Sequence, residues 1–302
     1  MMIVGFAVTA GVVGKLIDPY SPQVLLQVSA GLSLVTACIT ALCLWGLEKD
    51  GDPSQATAPS VATERLQKQN FKEAFQEVWA EPAARTFTVF VFMSMLAYSA
   101  QDLILEPFAG AVHGFTPGQT TQLSGWHHMG VLIGMLAVAG AGSRWVAGRL
   151  GSVQAWMVGG CLVSALATVG LVSSALSAAW PLKANVVFLG VANGAFSIAA
   201  IATMMRLAGE GGPGREGTRM GLWGAAQAAA FGLGGLLGTA ASDLAHALLG
   251  EQRTAYAAVF GMQALMFAVS AAVASRLRTG PAMQRAPLRF DGPVLLKGGS
   301  SS

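Results

Sequence analysis

Apolar segments of about twenty residues follow one another along most of this 302-residue chain. An α-helix of that length crosses the hydrocarbon core of a bilayer. Charged residues make up 11% of the sequence, whereas soluble domains carry about 25%. We therefore predict an all-α, polytopic membrane protein in contact with a lipid bilayer. The predicted spans are residues 2–16, 23–47, 87–108, 123–142, 152–173, 184–206, 220–242 and 255–276.

Basic residues are divided unequally between the two alternating sets of connections that join these spans. All but three of the 18 Lys and Arg residues fall in one set, and the exceptions are Lys15, Lys183 and Arg253. Connections rich in Lys and Arg remain in the cytoplasm. Both termini, and the long loop after the second span, are therefore predicted to be cytoplasmic.

That loop, residues 48–86, is the one long polar stretch between spans. It opens with a flexible linker composition. It continues with apolar residues at helical spacing, which predicts an amphipathic helix on the membrane surface. These residues are Phe71, Phe75, Val78 and Trp79. The tail at 279–302 is rich in Pro, Gly, Ser and Arg and is predicted to be disordered.

A short connection, "GSRWVAGRLG", joins the second and third spans after the long loop. It resembles the G-x-x-x-D-R-x-G-R-R loop motif of the major facilitator superfamily. Gly142, Gly148 and Arg149 match that motif and Arg144 adds a second basic residue, but the acid of the motif is absent. Such a loop combines a tight glycine turn with arginines that stabilise helix C-termini.

The chain has two predicted spans, then a long loop, then six predicted spans. This order resembles that of the same superfamily with its first four helices missing. The first span is short and starts abruptly, as though a longer helix had been cut. The resemblance implies four regions. They are the last two helices of an N-terminal half (1–47), the cytoplasmic loop (48–86), a six-helix C-terminal half (87–278) and the tail (279–302).

Three segments narrow the resemblance to one family. "SAQDLILEPFAG", "TPGQTTQLSGWHHMGVLIGM" and "MGLWGAAQAAAFGLGGLLGTAASD" resemble the bacteriochlorophyll delivery family of purple phototrophic bacteria, the PucC and LhaA type. The resemblance covers residues 1–278. It implies a protein of the bacterial inner (intracytoplasmic) membrane that delivers bacteriochlorophyll, or a late precursor, to light-harvesting antenna apoproteins. Bacteriochlorophyll is then a ligand, and no covalently bound cofactor is expected.

Two carboxylates stand near the end of the third predicted span. Asp102 and Glu106 share one helix face because they are four residues apart, and Tyr98 and Gln101 flank them. Pro107 is predicted to end the helix, which would place both acids near the periplasmic surface. Acids inside a membrane are costly and often functional. They are therefore either substrate ligands or a proton-coupling pair, or else they are helix-end acids bonded to a neighbouring helix.

Two adjacent histidines, His127 and His128, are predicted about one turn into the next span, at the depth of the two acids. A neutral imidazole is a suitable axial ligand for the magnesium of a chlorin. Structural pairing with a carboxylate is the alternative. Adjacent helical residues point about 100° apart, so at most one of them faces a given site. His113 is predicted to lie in a solvated loop, and no further metal site is predicted.

Polar residues occur singly in later spans. Asn193 lies beside Gly190 and Gly194 near the predicted middle of the membrane. It either bonds a neighbouring helix or lines a central cavity, and Gln227 has the same two interpretations.

No nucleotide-binding loop or nucleophile–base motif is recognisable, so neither an enzymatic activity nor a nucleic-acid partner is predicted. Two rivals to pigment delivery remain open. One is a proton-coupled transporter of a small amphipathic molecule that uses Asp102, and the other is an assembly scaffold that binds no pigment.

Overall fold

A computed structural model describes residues 2–45, 76, 78–141, 152–177, 179–210 and 216–277 of the protein. All regular secondary structure in these ranges is α-helical, and seven helices are long and apolar enough to cross a membrane. The prediction of an all-α, polytopic membrane protein is therefore confirmed. The helices are α1 (Met2–Leu16), α2 (Pro22–Leu44), α3 (Pro82–His113), α4 (Pro117–Ala141), α5 (Val153–Leu176), α6 (Leu182–Glu210), α7 (Glu216–Leu249) and α8 (Gln252–Ser275).

The predicted end of α3 at Pro107 is wrong. The helix continues to His113 and ends at Gly114, whose left-handed backbone (φ 69°) lets its N–H donate to the carbonyl of Gly110. A proline inside a transmembrane helix is tolerated where neighbouring groups satisfy the backbone that it leaves free. Asp102 therefore lies about three turns before the end of the helix, well inside the bundle.

Helices α4 and α6 make the most extensive helix–helix contact in the described part of the chain. Glycines on both helices allow this close approach. A Cβ on Gly134 of α4 would lie 2.9 Å from the carbonyl carbon of Val191, and a Cβ on Gly194 of α6 would lie 2.8 Å from that of Val131. Both distances are shorter than real Cβ contacts. The two helix backbones therefore touch directly, as small residues permit in membranes.

A second glycine contact attaches α1 to the first half of α4. A Cβ on Gly118 would lie 2.6 Å from the carbonyl oxygen of Gly14, and one on Gly125 would lie 3.2 Å from the backbone nitrogen of Gly11. Helix α1 therefore packs on one side of α4 while α6 packs on another. The next helix, α2, lies beside α1 and has no buried residue.

Aromatic side chains from several helices fill the core around α3. Near its start, Phe87 meets Trp223 of α7 edge to face, with ring centroids 5.1 Å apart. Near its end, Phe108 meets Phe260 of α8 in the same way at 4.9 Å. All four side chains are fully buried, so aromatic packing attaches α3 to α7 near its start and to α8 near its end.

An ion pair joins three helix ends at the start of α3. The Arg219 guanidinium of α7 is buried and donates to the Glu81 carboxylate before α3 and to the carbonyl of Leu207 in α6. Burying a charge requires such pairing. Arg219 was predicted to be a cytoplasmic residue, and the structure shows that it holds these helix ends together.

The structure describes only part of the predicted surface helix, and one of its apolar residues lies in the core of the bundle. Val78 is buried in the core, four residues before α3 begins at Pro82. Phe71 and Phe75 lie outside the described residues. The predicted motif loop and the tail also lie outside them; the loop residues are Gly142, Arg144, Gly148 and Arg149.

Gly134→Ala is expected to destabilise the protein by about 1–3 kcal/mol, because the new methyl group overlaps the α6 backbone. Gly140→Ala is the matched control, since no atom of the described part of the chain lies within 4 Å of a Cβ at that position of the same helix. Thermal unfolding of both purified variants in detergent measures the difference. Equal stabilities would contradict the close contact.

Candidate functional site

A cavity of about 460 Å³ lies between α1, α3, α4, α6 and α7. Most of its wall is apolar, with methionines from four helices and three phenylalanines. The apolar residues include Met2, Phe6, Phe87, Met95, Met135, Met204 and Phe231. The polar side chains in the wall are Tyr98, Asp102, His128, Ser197 and Gln227. Such a site suits a large ligand that is mostly apolar and carries a few polar groups.

Asp102 faces this cavity from α3, and its side chain is 39% exposed. One carboxylate oxygen, Oδ1, lies 3.7 Å from Nδ1 of His127. This separation allows an electrostatic contact but is too long for a hydrogen bond. The two residues are therefore neighbours without a direct bond.

His127 is fully buried behind the cavity wall, within a polar network that links four helices. Nδ2 of Asn193 donates to Nε2 of His127 at 3.3 Å and to Oε1 of Gln101 at 3.4 Å. The hydroxyl of Ser164 donates to Oδ1 of Asn193 at 2.8 Å. Asn193 is fully buried as well, so of its two predicted roles the structure shows the bond to neighbouring helices.

His128 points in a different direction and lines the cavity. Its Nδ1 donates to the carbonyl of Ser124 at 2.8 Å. The ring hydrogen is therefore on Nδ1, which leaves the lone pair of Nε2 available to a ligand. The ring of Phe6 packs edge-on against it at 5.4 Å. The two adjacent histidines thus have different surroundings, because consecutive helical side chains diverge by about 100°, while one ring nitrogen of each lies within 4.8 Å of the other.

Both histidines lie about three turns inside α4, because the helix begins at Pro117 and not near residue 123 as predicted. Glu106 is also placed differently from the prediction, since α3 continues beyond it. Its carboxylate accepts a 2.6 Å hydrogen bond from the hydroxyl of Ser124. Glu106 therefore ties α3 to α4 and is absent from the cavity wall.

Two of the remaining predicted site residues belong to the cavity. Tyr98 stacks near His127 and Phe231, with ring centroids 6.1 and 6.2 Å away. Gln227 reaches the cavity from α7 and is exposed. Gln101 belongs to the buried network behind it.

Asp102, His127 and His128 together form a donor set that the sequence analysis did not predict as a metal site. One ligand atom from each lies within 4.8 Å of the others. The residues come from two helices, so their spacing in the sequence carries no metal-binding motif. In the sequence, only the shared predicted depth of these residues in the membrane indicated that they would lie together. Chemically, the group can hold a proton or a cation, or place one imidazole against a bound metal centre.

A smaller polar cavity of about 210 Å³, between α3, α7 and α8, contains residues that the sequence analysis missed. Asp243, His246 and Tyr256 line it. Nδ1 of His246 lies 2.7 Å from the carbonyl of Ser242, the same arrangement as for His128. In the sequence, the polar residues near the end of α7 were the feature that could have indicated this cavity. His113, predicted to be in a loop, ends α3 and is bonded to Ser174 at 3.0 Å.

Asn193→Ala is expected to destabilise the protein by about 1–2 kcal/mol, because it leaves buried polar groups of His127 and Ser164 without partners. Gln227→Ala is the control, since Gln227 is exposed and its removal is expected to change the stability by less than about 0.5 kcal/mol. Unfolding in detergent, followed by circular dichroism, measures both. A stable Asn193→Ala protein would show that the network contributes little.

Comparison with known proteins places the chain in a family. The chain is 48% identical over 289 residues to "Bacteriochlorophyll synthase 44.5 kDa chain" of Rhodobacter capsulatus, covering 95% of this chain and 64% of that protein. It is 29% identical over 281 residues to "Protein PucC" of the same organism, covering 91% of this chain and 58% of that protein. The chain therefore spans less than two thirds of each relative, and no solved structure matches it. The family model described as PUCC protein matches residues 1–281, so this chain belongs to the PUCC protein family.

Proposed function

We propose that this protein handles bacteriochlorophyll, or a late precursor of it, and delivers it during assembly of light-harvesting complexes. The observation that carries the proposal is His128, which presents a free imidazole Nε2 in the wall of a mostly apolar cavity. The names of the relatives support the choice of pigment. The chain spans only part of those relatives, so their activity is transferred here as a proposal.

The cavity matches the chemistry of a metallated chlorin. Its volume of about 460 Å³ falls in the usual range for small-molecule sites, about 300–1,000 Å³. Its methionine and phenylalanine side chains suit a flat apolar macrocycle, and methionine adapts its shape to the ligand. His128 supplies one axial ligand to the central magnesium. Tyr98 and Gln227 are placed to bond polar groups at the macrocycle edge.

Delivery requires a site that releases its ligand intact. A single axial bond and apolar contacts are reversible, so the proposed role is binding and transfer, with no chemical conversion of the pigment. In this proposal the protein acts in the inner membrane of a phototrophic bacterium, and the antenna apoproteins receive the pigment. The word "synthase" in the name of one relative applies to that relative, and the proposal for this protein does not include it.

His128→Ala is expected to lose most of the bacteriochlorophyll that co-purifies with the protein from a phototrophic host. His246→Ala is the matched control, because His246 makes the same bond to a backbone carbonyl but lies outside the cavity. Pigment per protein and the absorption spectrum are measured for both variants. A parent protein without pigment would overturn the proposal, and unchanged pigment and spectrum in His128→Ala would exclude axial ligation.

Proton-coupled transport of a small amphipathic molecule is a second candidate, favoured by the position of Asp102. Its carboxylate faces the cavity and lies 3.7 Å from an imidazole nitrogen, where a proton can be held. Asp102→Asn cannot exchange that proton and is expected to abolish gradient-driven uptake into proteoliposomes while ligand binding persists. Gradient-driven uptake by this variant at the parent rate would exclude the coupling role.

A further inference from the structure

We propose that Asp102, His127 and His128 form a binding site for a divalent late transition-metal ion of the Zn²⁺ type. The site goes beyond the proposed function and does not rest on it. It uses the donor set of one carboxylate oxygen and two imidazole nitrogens that α3 and α4 bring together.

The charge of Asp102 favours a bound cation. This carboxylate lies inside a membrane-spanning helix, where an unpaired charge is costly. Among the described residues its ionic contact is with His127. The buried Arg219 is engaged by Glu81 and by Leu207. A divalent cation between Asp102 and the histidines would neutralise the carboxylate and bind it directly.

The Nδ1 atom of His127 also favours a bound ion. This nitrogen is buried, its side chain is 0% exposed, and it has no hydrogen-bond partner among the residues that the structure describes. A buried polar atom without a partner is costly. Nδ1 points at the Asp102 carboxylate across a gap of 3.7 Å. An ion in that gap would give both groups a partner.

The surroundings of His127 can adapt to a bound ion. Metal binding needs the lone pair of Nδ1, so the ring hydrogen must sit on Nε2. Asn193 lies 3.3 Å from Nε2, and when its amide turns over, its oxygen accepts that hydrogen. The hydroxyl of Ser164 can then accept from the amide nitrogen. Gln101, whose Nε2 also lacks a partner, can turn in the same way.

His128 completes the set from the cavity side. Its Nδ1 is held by the carbonyl of Ser124 at 2.8 Å, so its Nε2 is the nitrogen that can bind a metal. Ligating histidines usually have their second nitrogen held by such a carbonyl. The ion would therefore lie at the boundary between the buried network and the cavity.

The geometry and the donor types select the kind of ion. One ligand atom from each of the three residues lies within 4.8 Å of the others. A tetrahedral ion with bonds of about 2.1 Å needs them about 3.4 Å apart, so small side-chain rotations close the site. Two nitrogens and one oxygen favour Zn²⁺, Co²⁺ or Ni²⁺ over Mg²⁺ or Ca²⁺, which prefer oxygen ligands. A fourth position remains open towards the cavity.

The test is metal binding by the pigment-free full chain, purified in detergent through a tag that contains no histidine. Co²⁺ is added first, because a nitrogen-rich tetrahedral site gives it visible d–d absorption, and Zn²⁺ is then used to displace it. The expected result is one equivalent of bound ion. Asp102→Asn, His127→Gln and His128→Gln are each expected to abolish saturable binding.

Two further variants make the test specific. Asn193→Ala is expected to weaken binding about 10–100-fold, as removal of a group that orients a ligand does. His246→Gln is expected to bind as the parent does, since His246 lies outside the cluster. Thermal unfolding confirms that each variant is folded. His127→Ala serves as a second variant if His127→Gln does not fold.

Three results would overturn the site. They are the absence of saturable binding, binding that survives in all three ligand variants, and binding that His246→Gln abolishes.

The outcome is independent of the pigment experiment, which measures bacteriochlorophyll in protein from a phototrophic host. If both proposals hold, Zn²⁺ is expected to reduce pigment retention, because both ligands require Nε2 of His128. Pigment retention unaffected by saturating Zn²⁺ would show that the two ligands do not both use Nε2 of His128.

Discussion

The direct contact between the α4 and α6 backbones is the constraint on which the site depends. Gly134 and Gly194 remove the side chains that would hold the two helices apart. Without that approach, Asn193 on α6 would not reach the imidazole of His127 on α4. In lipid, where apolar burial gives little advantage to one helix pairing over another, such packing and interhelical hydrogen bonds decide which helices meet.

This contact divides the polar residues of the bundle into two layers. His127 and Asn193 form a buried network that holds α3, α4, α5 and α6 together. Asp102 and His128 stand in front of it, in the wall of the cavity. The rest of the cavity wall is mostly apolar, so the cavity contains few polar groups. The proposed binding of a pigment and the proposed binding of an ion would both use this arrangement.

The approximate positions of the helices in the described part of the chain could be predicted because a bilayer requires about twenty apolar residues per span, although the first of the eight predicted spans is a helix of only 15 residues and seven helices are long enough to cross a membrane. The depth of the acids could not. Pro107 was expected to end α3, yet the helix continues to His113, since a proline deprives a transmembrane helix of one bond without stopping it. The proximity of Asp102 to the two histidines was anticipated from depth. Which histidine faces the cavity was not, because it depends on the rotation of α4 about its axis. The topology, the division into halves and the kinship with major facilitators stay predictions.

The sequence by itself determined that the chain is helical and membrane-spanning, and its motifs indicated the family, because hydrophobic length and local motifs are properties of contiguous residues. The tertiary structure decided the roles of individual side chains. It buried His127, exposed His128 to a cavity, turned Glu106 towards Ser124 and paired Arg219 with Glu81. These outcomes depend on how helices distant in sequence rotate and pack against one another, and no local pattern of residues specifies that.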